Sequence, residues 1–193
     1  MHLDIINRSL SLLGEKQLTD LNGTDMTTQI VKSFYDSVWE TILASNTWIR
    51  ATKKVVLTGV ADESGVYTVN LPEDFVIIKE IKNSLSVPIR DDCFFYGNII
   101  ESYYEEITLL YVSKEGIIPL ETVSDPSGHI SQGMERCVEY LLANYIGFKF
   151  TQNVDLINSF YQKYLLSLDR AIVEDYRMGN LSIPAAESWD VGR

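Results

Sequence analysis

Two histidines, His2 and His129, two cysteines, Cys93 and Cys137, and five adjacent acidic pairs are the side chains here suited to proton transfer, nucleophilic attack or metal binding. A general base or a zinc site needs such groups to converge from defined positions. His2 stands at the start of the chain, and His129 stands near Asp125 where a helical pattern begins. Both read as loop or helix-start residues and not as a base or a ligand. With no third nitrogen or thiol close in sequence, a zinc site would have to be gathered from scattered parts. The cysteines make neither a C-x-x-C pair nor a disulfide framework, which predicts a reduced, cytosolic site of folding.

The acidic pairs are Asp62-Glu63, Glu73-Asp74, Asp91-Asp92, Glu105-Glu106 and Glu174-Asp175. Neighbouring carboxylates point to opposite faces of a strand and about 100° apart on a helix, so none is a ready-made acid/base pair. Solvated charge is the expectation for them. Gly14-Glu15-Lys16 lacks the upstream glycine of a phosphate-binding loop. Arg50, Lys53 and Lys54 with Trp48 form the one local basic patch that has an aromatic beside it. It reads as a charged strand edge that discourages stray pairing, because three cations do not offset their acidic surroundings. No catalytic residue, cofactor or metal is assigned, and no enzymatic activity is expected.

Sixteen Lys and Arg against 27 Asp and Glu give the 193-residue chain a net charge of −11, with acidity spread through both halves. That balance argues against gripping nucleic acid, where affinity comes from cations that neutralise phosphates. No run approaches the roughly 18 to 20 apolar residues of a membrane span. The opening MHLDIINRSLSLLG carries Asp4 and Arg8 inside its apolar run, so it reads as a helix of the mature protein and not as a signal peptide.

The elements that must position these groups follow from periodicity. Leu3, Ile6, Leu10 and Leu13, widened by Ile5 and Leu12, predict a short helix stopped by Gly14. Thr24 as N-cap, with Asp25 in the first turn, opens a second helix along Met26, Ile30, Phe34, Val38 and Ile42. Val31, Tyr35, Trp39 and Leu43 broaden its apolar face. Near Ala51 the period changes. Lys53 to Leu57 and Val66 to Leu71 read as a hairpin around the Gly59 to Gly65 turn, Phe75 to Ile81 as a further strand, and Cys93 to Tyr96 with Ile99 to Glu101 as a pair joined by Gly97-Asn98. Ile107 to Val112 completes five or six strands in an antiparallel sheet with one wet face. After Pro119, Pro126 and Gly128, Ile130, Met134, Val138, Leu141, Tyr145 and Phe148 predict a third helix. Asn153 caps a fourth, along Ile157, Phe160, Tyr164, Leu168, Ala171 and Ile172, ending at Gly179.

The expected fold class is therefore α+β: residues 1–50 and 128–178 form a bundle of about four helices, 51–127 form an inserted antiparallel β lobe, and 179–193 form a C-terminal arm. The arm has little periodicity and is expected to lack fixed structure or to order on a partner. Eleven Tyr, seven Phe and three Trp suit the core, and they also suit subunit interfaces.

Taken in order, several segments resemble the tail tubular protein A family of bacteriophages, the head-to-tail adaptors below the portal of short-tailed phages. Ile6-Asn7-Arg8-Ser9-Leu10-Ser11-Leu12-Leu13-Gly14-Glu15 is similar to that family's opening N-x-x-L-x-x-[IL]-G-[EQ]. Leu18-Thr19-Asp20-Leu21 follows, and Tyr35, Trp39, Leu43 and Trp48 take the places of its aromatic and leucine helix pattern. Tyr67 to Asp74 resembles Y-x-[YL]-x-[LV]-P-x-D, and Ile107 to Val112 resembles its I-x-L-x-Y strand. Leu141-Leu142-Ala143 and Thr151-Gln152-Asn153 resemble the last helical section. The correspondence spans roughly residues 5 to 178.

The resemblance implies a structural protein of the virion at the portal–tail junction, synthesised in the host bacterial cytoplasm. It implies a homo-oligomeric ring, commonly a dodecamer, that joins the portal protein to a downstream tail or nozzle protein, lets DNA pass without specific binding and touches no membrane. Within it, Leu181, Ile183 and Trp189 are the expected contacts of the arm with the portal or a neighbour, and carboxylates are expected to face the channel. The alternatives are another phage head-completion or tail-tube component, or an acidic metal-dependent nuclease or phosphatase.

Overall fold

A computed structural model describes residues 2–49, 51–114 and 131–180. Among them are four helices and antiparallel sheets of three and four strands, so the fold class is α+β. Contacts group the chain into two compact units, Met1–Val38 with His129–Arg193, and Trp39–Gly128. The division runs through the second helix, whereas the periodicity changes near Ala51.

The helical unit begins with α1 (His2–Leu12), whose Ile5, Ile6 and Leu10 are fully buried. Gly14 has φ +76°, and the Glu15 N–H donates to the Leu10 carbonyl while the Gly14 N–H donates to Ser11. That double closure consumes carbonyls the last turn leaves open, and its left-handed residue favours glycine. α2 (Met26–Ala44) starts one residue later than the spacing predicts: Asp25, not Thr24, is the cap, its carboxylate accepting from the Thr28 N–H at 3.0 Å. The buried face is also rotated. Met26 is 76% exposed and Ile30 and Phe34 only half-buried, while Val31, Tyr35, Val38, Trp39, Ile42 and Leu43 are inside. Two overlapping apolar stripes were present in the sequence, and packing chose the one carrying Tyr35 and Trp39.

α3 (Gln132–Phe150) is capped by the Ser131 side chain, which accepts from the Met134 N–H. Gly133, Cys137, Val138, Leu141, Leu142, Ala143, Ile146 and Gly147 are its buried residues, and Phe148, expected inside, is exposed. Asn153 caps α4 (Val154–Asn180) as predicted, accepting from the Leu156 N–H at 3.0 Å. The helix runs past Gly179 through Asn180; an interior glycine costs about 1 kcal/mol relative to alanine but does not forbid helix. Its buried stripe is Ile157, Phe160, Tyr164, Ser167, Ala171 and Asp175, with Leu168 and Ile172 half-buried beside it. α1 is tied to α3 by the Arg8 guanidinium, 2.8 Å from Glu135, and by the Ser9 hydroxyl donating to the Glu139 carbonyl.

In the other unit, Trp48 is buried and its indole N–H donates to the Ile42 carbonyl at 2.8 Å, folding the chain back after α2. The strands are β1 (Thr52–Thr58), β2 (Val60–Ala61), β3 (Tyr67–Asn70), β4 (Phe75–Asn83), β5 (Cys93–Tyr96), β6 (Ile99–Ser102) and β7 (Glu106–Ser113). They form two sheets, β1-β7-β4 and β2-β3-β6-β5, and not the single sheet expected. The predicted hairpin of β1 with β3 does not form: β1 pairs with β7, Lys53 opposite Tyr111, while β3 pairs with the two residues of β2 and with β6.

Gly59 is the physical reason. A Cβ there would lie 2.7 Å from Tyr67 Cβ, so only glycine lets the chain pass this close as it leaves one sheet for the other. Its N–H donates to the Glu105 carbonyl at 2.7 Å, which holds the crossing. The β5–β6 hairpin is as predicted, with Tyr96 opposite Ile99 and the positive φ on Gly97. Val69, Cys93 and Ile100 from one sheet and Ile81, Ile107, Leu109 and Tyr111 from the other belong to a single buried cluster. Alternation along β7 feeds that core, while Lys54, Val56 and Thr58 on β1 face water.

Candidate functional site

Among the described residues, those singled out for chemistry do not converge on one site. His129 lies outside the described residues, as do Arg50, Leu181, Ile183 and Trp189. Among the described residues, no group of three or more His, Cys, Asp or Glu is placed to hold a metal ion. The two thiols are buried. Burial, reinforced by Glu174, pushes Cys137 up to about 12, and burial with Asp92 nearby raises Cys93. Both are therefore protonated at neutral pH, and a thiolate is the reactive form. A disulfide reagent should find no fast thiol in the native protein and two per chain in denaturant. Rapid native labelling of either cysteine would contradict the burial.

The acidic pairs divide by local geometry. Asp62 closes the β2–β3 turn by accepting from the Ser64 and Val66 N–H groups, and hydrogen bonds from Ser64 and Val66 hold its carboxyl below the usual range. Glu174 accepts from the Gly133 N–H at 3.0 Å, and Asp175 is buried. Asp74 is also drawn out of the expected solvated state. It receives Lys53 Nζ at 2.8 Å, the Tyr111 hydroxyl at 2.9 Å and the Ser113 hydroxyl, while its carbonyl accepts the Lys114 N–H. Burial alone would raise its pKa; the donors from Lys53, Ser113 and Tyr111 outweigh that and hold it at about 2. Asp74 thus fastens the turn before β4 onto β1 and β7. The basic patch is dismantled by the same contacts, since Lys53 turns to Asp74 and Trp48 is inside.

What the described residues do present is surface. In the β unit, Tyr103 is 65% and Tyr96 60% exposed, with Phe94, Phe95 and Val60 also largely in water. Ser102 builds the corner that turns Tyr103 outward: its hydroxyl accepts the Tyr104 N–H at 2.9 Å and donates to the Tyr104 carbonyl. Two adjoining hollows share that ring. One, of about 410 Å³, is lined by Tyr67, Tyr103, Tyr104, Glu105 and Glu106 among others; the second, of about 190 Å³, by Val66, Phe94, Tyr96, Glu101 and Tyr103. Both are open and bear aromatic rings and carboxylates.

The helical unit presents a different surface along α4. Leu166 is 64% and Val173 49% exposed, and Lys163, Arg170 and Arg177 are exposed beside them. Lys163 Nζ sits 5.8 Å from the centroid of the Tyr140 ring. Arg170 and Arg136 of α3 line a small hollow with Glu174. In the sequence the tyrosines suit core and interface alike. Tyr35 and Tyr164 are core, whereas Tyr103, Tyr161 and Tyr176 are exposed.

The fold and these features define a two-unit α+β protein that presents two chemically unlike exposed surfaces. Compared with protein-family models and with curated proteins, the chain matches none.

Proposed function

We propose that this chain is a structural virion protein, one subunit of an adaptor ring that joins the portal to the tail of a short-tailed phage and surrounds the passing DNA. The observation that carries the reading is the presence of two unlike exposed surfaces, aromatic and acidic on the β unit, basic and apolar on α4. A closed ring needs such a pair, because each copy offers one surface to one neighbour and a different surface to the next. The ordered resemblance to the tail tubular protein A family supports the same reading. Its motif positions coincide with exacting structural roles here: Gly14 ends α1, Trp48 fills the core, and Asp74 fastens the turn before β4 onto β1 and β7.

In this reading the net charge of −11 becomes positional. Twelve copies would carry about −132, and carboxylates facing the hole repel the duplex, so DNA slides without adhering. The segment carrying Leu181, Ile183 and Trp189 reaches the portal. Mass measurement of the purified protein, alone and with portal rings, tests the proposal: a multi-copy ring or a stable portal complex is expected. A chain that stays monomeric in both settings overturns it. Removing residues beyond Asn180 should abolish portal attachment, and unchanged attachment would reject the role of the arm.

A further inference from the structure

The two exposed surfaces are opposite in charge and alike in having an apolar component. On α4, Lys163, Arg170 and Arg177 recur every seven residues, which places them on one stripe at intervals of about 10 Å. Exposed Leu166 and Val173 recur at the same interval beside them. None of these three cations is within ion-pair distance of a carboxylate among the described residues, whereas Arg8, Lys53, Lys82 and Lys114 each are. Glu174, a turn away from Arg170, is engaged by the Gly133 N–H.

On the β unit, Glu101, Glu105 and Glu106 likewise have no cation within ion-pair distance among the described residues. They stand around Tyr103, with Tyr67 and Tyr96 in the same two hollows. A phenol ring flanked by carboxylates draws an ammonium or guanidinium through the ring quadrupole and through charge, while the methylene stem of Lys or Arg covers the ring. Leu166 and Val173 offer apolar contact for Phe94 and Tyr96.

We infer that the basic and apolar stripe of α4 docks into the tyrosine–glutamate groove of a neighbouring copy of this chain. The inference rests on the ring reading and adds which surface meets which. Copies of a chain with net charge −11 repel one another in general, so association needs a local reversal of sign. Three cations facing three carboxylates, none of the six in an ion pair among the described residues, supply it and also set the direction of the contact.

Two double variants test this: Arg170→Glu with Arg177→Glu, and Glu105→Lys with Glu106→Lys. All four side chains are exposed, so circular dichroism and thermal unfolding should match wild type. Self-association is read by sedimentation, alone or on portal rings, in whichever setting the wild-type ring forms. Each variant by itself should associate at least about tenfold more weakly, because like charges then meet across the contact. Mixed in equal amounts, the two should recover assembly as an alternating ring, since glutamate stripes meet lysine grooves and native stripes meet native grooves. A variant that assembles like wild type, or a mixture that stays dissociated, overturns the docking and leaves the ring standing. A wild-type chain that forms no ring in either setting overturns the ring reading itself.

Discussion

Asp74→Ala should lower stability to unfolding by about 2–3 kcal/mol, the range expected when a part-buried carboxylate with several charge-assisted hydrogen bonds is removed. Lys53, Tyr111 and Ser113 all aim donors at this one side chain, and they come from β1 and β7. Its loss releases the turn before β4 from both strands at once. Asp74→Asn keeps an acceptor oxygen and should cost less. Urea unfolding followed by far-ultraviolet circular dichroism measures both, and an alanine variant within about 0.5 kcal/mol of wild type would remove Asp74 from its assigned role.

The same carboxylate predicts an acid limb. Its pKa is depressed in the folded protein, to about 2 from the ordinary 3.8, so the folded state prefers the ionised form. The stabilisation is fully present above pH 4 and is lost as pH falls from about 4 towards 2, where both folded and unfolded forms become protonated. A difference of this size corresponds to about 2 kcal/mol. Asp74→Asn should flatten that part of the stability profile. Salt should weaken only the share owed to half-exposed Lys53.

Gly133→Val should be the most damaging change in the helical unit, at about 2–3 kcal/mol. A Cβ at Gly133 would lie 2.9 Å from the Ala171 Cα and 2.7 Å from the Glu174 carboxylate. Backbone cannot swing aside as a side chain can, so α3 and α4 must separate at this crossing, and the bond from the Gly133 N–H to Glu174 goes with the contact. Gly147 provides the comparison. A Cβ there meets Ile157 Cγ1 at 2.9 Å, the movable part of a side chain, so Gly147→Ala should cost less than Gly133→Ala. Thermal unfolding of the three variants gives the ranking, and equal losses at the two glycines would refute the argument from backbone proximity.

The helices were legible because their signals are local. Gly14 as a left-handed terminator and Asn153 as a cap act over a few residues, and the stripe Ile157, Phe160, Tyr164 and Ala171 repeats with the helix itself. Where two signals of equal local quality competed, the choice was not legible. Thr24 and Asp25 are both good caps, and α2 carries two apolar stripes whose burial depends on what packs against them.

Strand partners belong to the other class. Lys53–Leu57 is followed by turn residues and by Val66–Leu71, a local pattern that favours a hairpin, yet β1 lies against β7. Pairing across that distance is set by the shared core of Ile107, Leu109 and Tyr111 and by the close passage at Gly59, neither of which leaves a periodic trace nearby. Asp74 shows the same limit for polar groups. In the sequence it is one of ten carboxylates in adjacent pairs; the register of β1 and β7 makes it the acceptor for three donors.

By itself, then, the sequence determined the α+β class, the order of elements and the acidity, because each follows from composition or from periods of a few residues. Tertiary structure alone decided which strands share a sheet, which tyrosines are buried, and that Lys163, Arg170 and Arg177 share an exposed stripe while Glu101, Glu105 and Glu106 gather around Tyr103. The physical reason is that exposure and convergence are properties of surfaces, and a surface exists only once segments distant in sequence have packed.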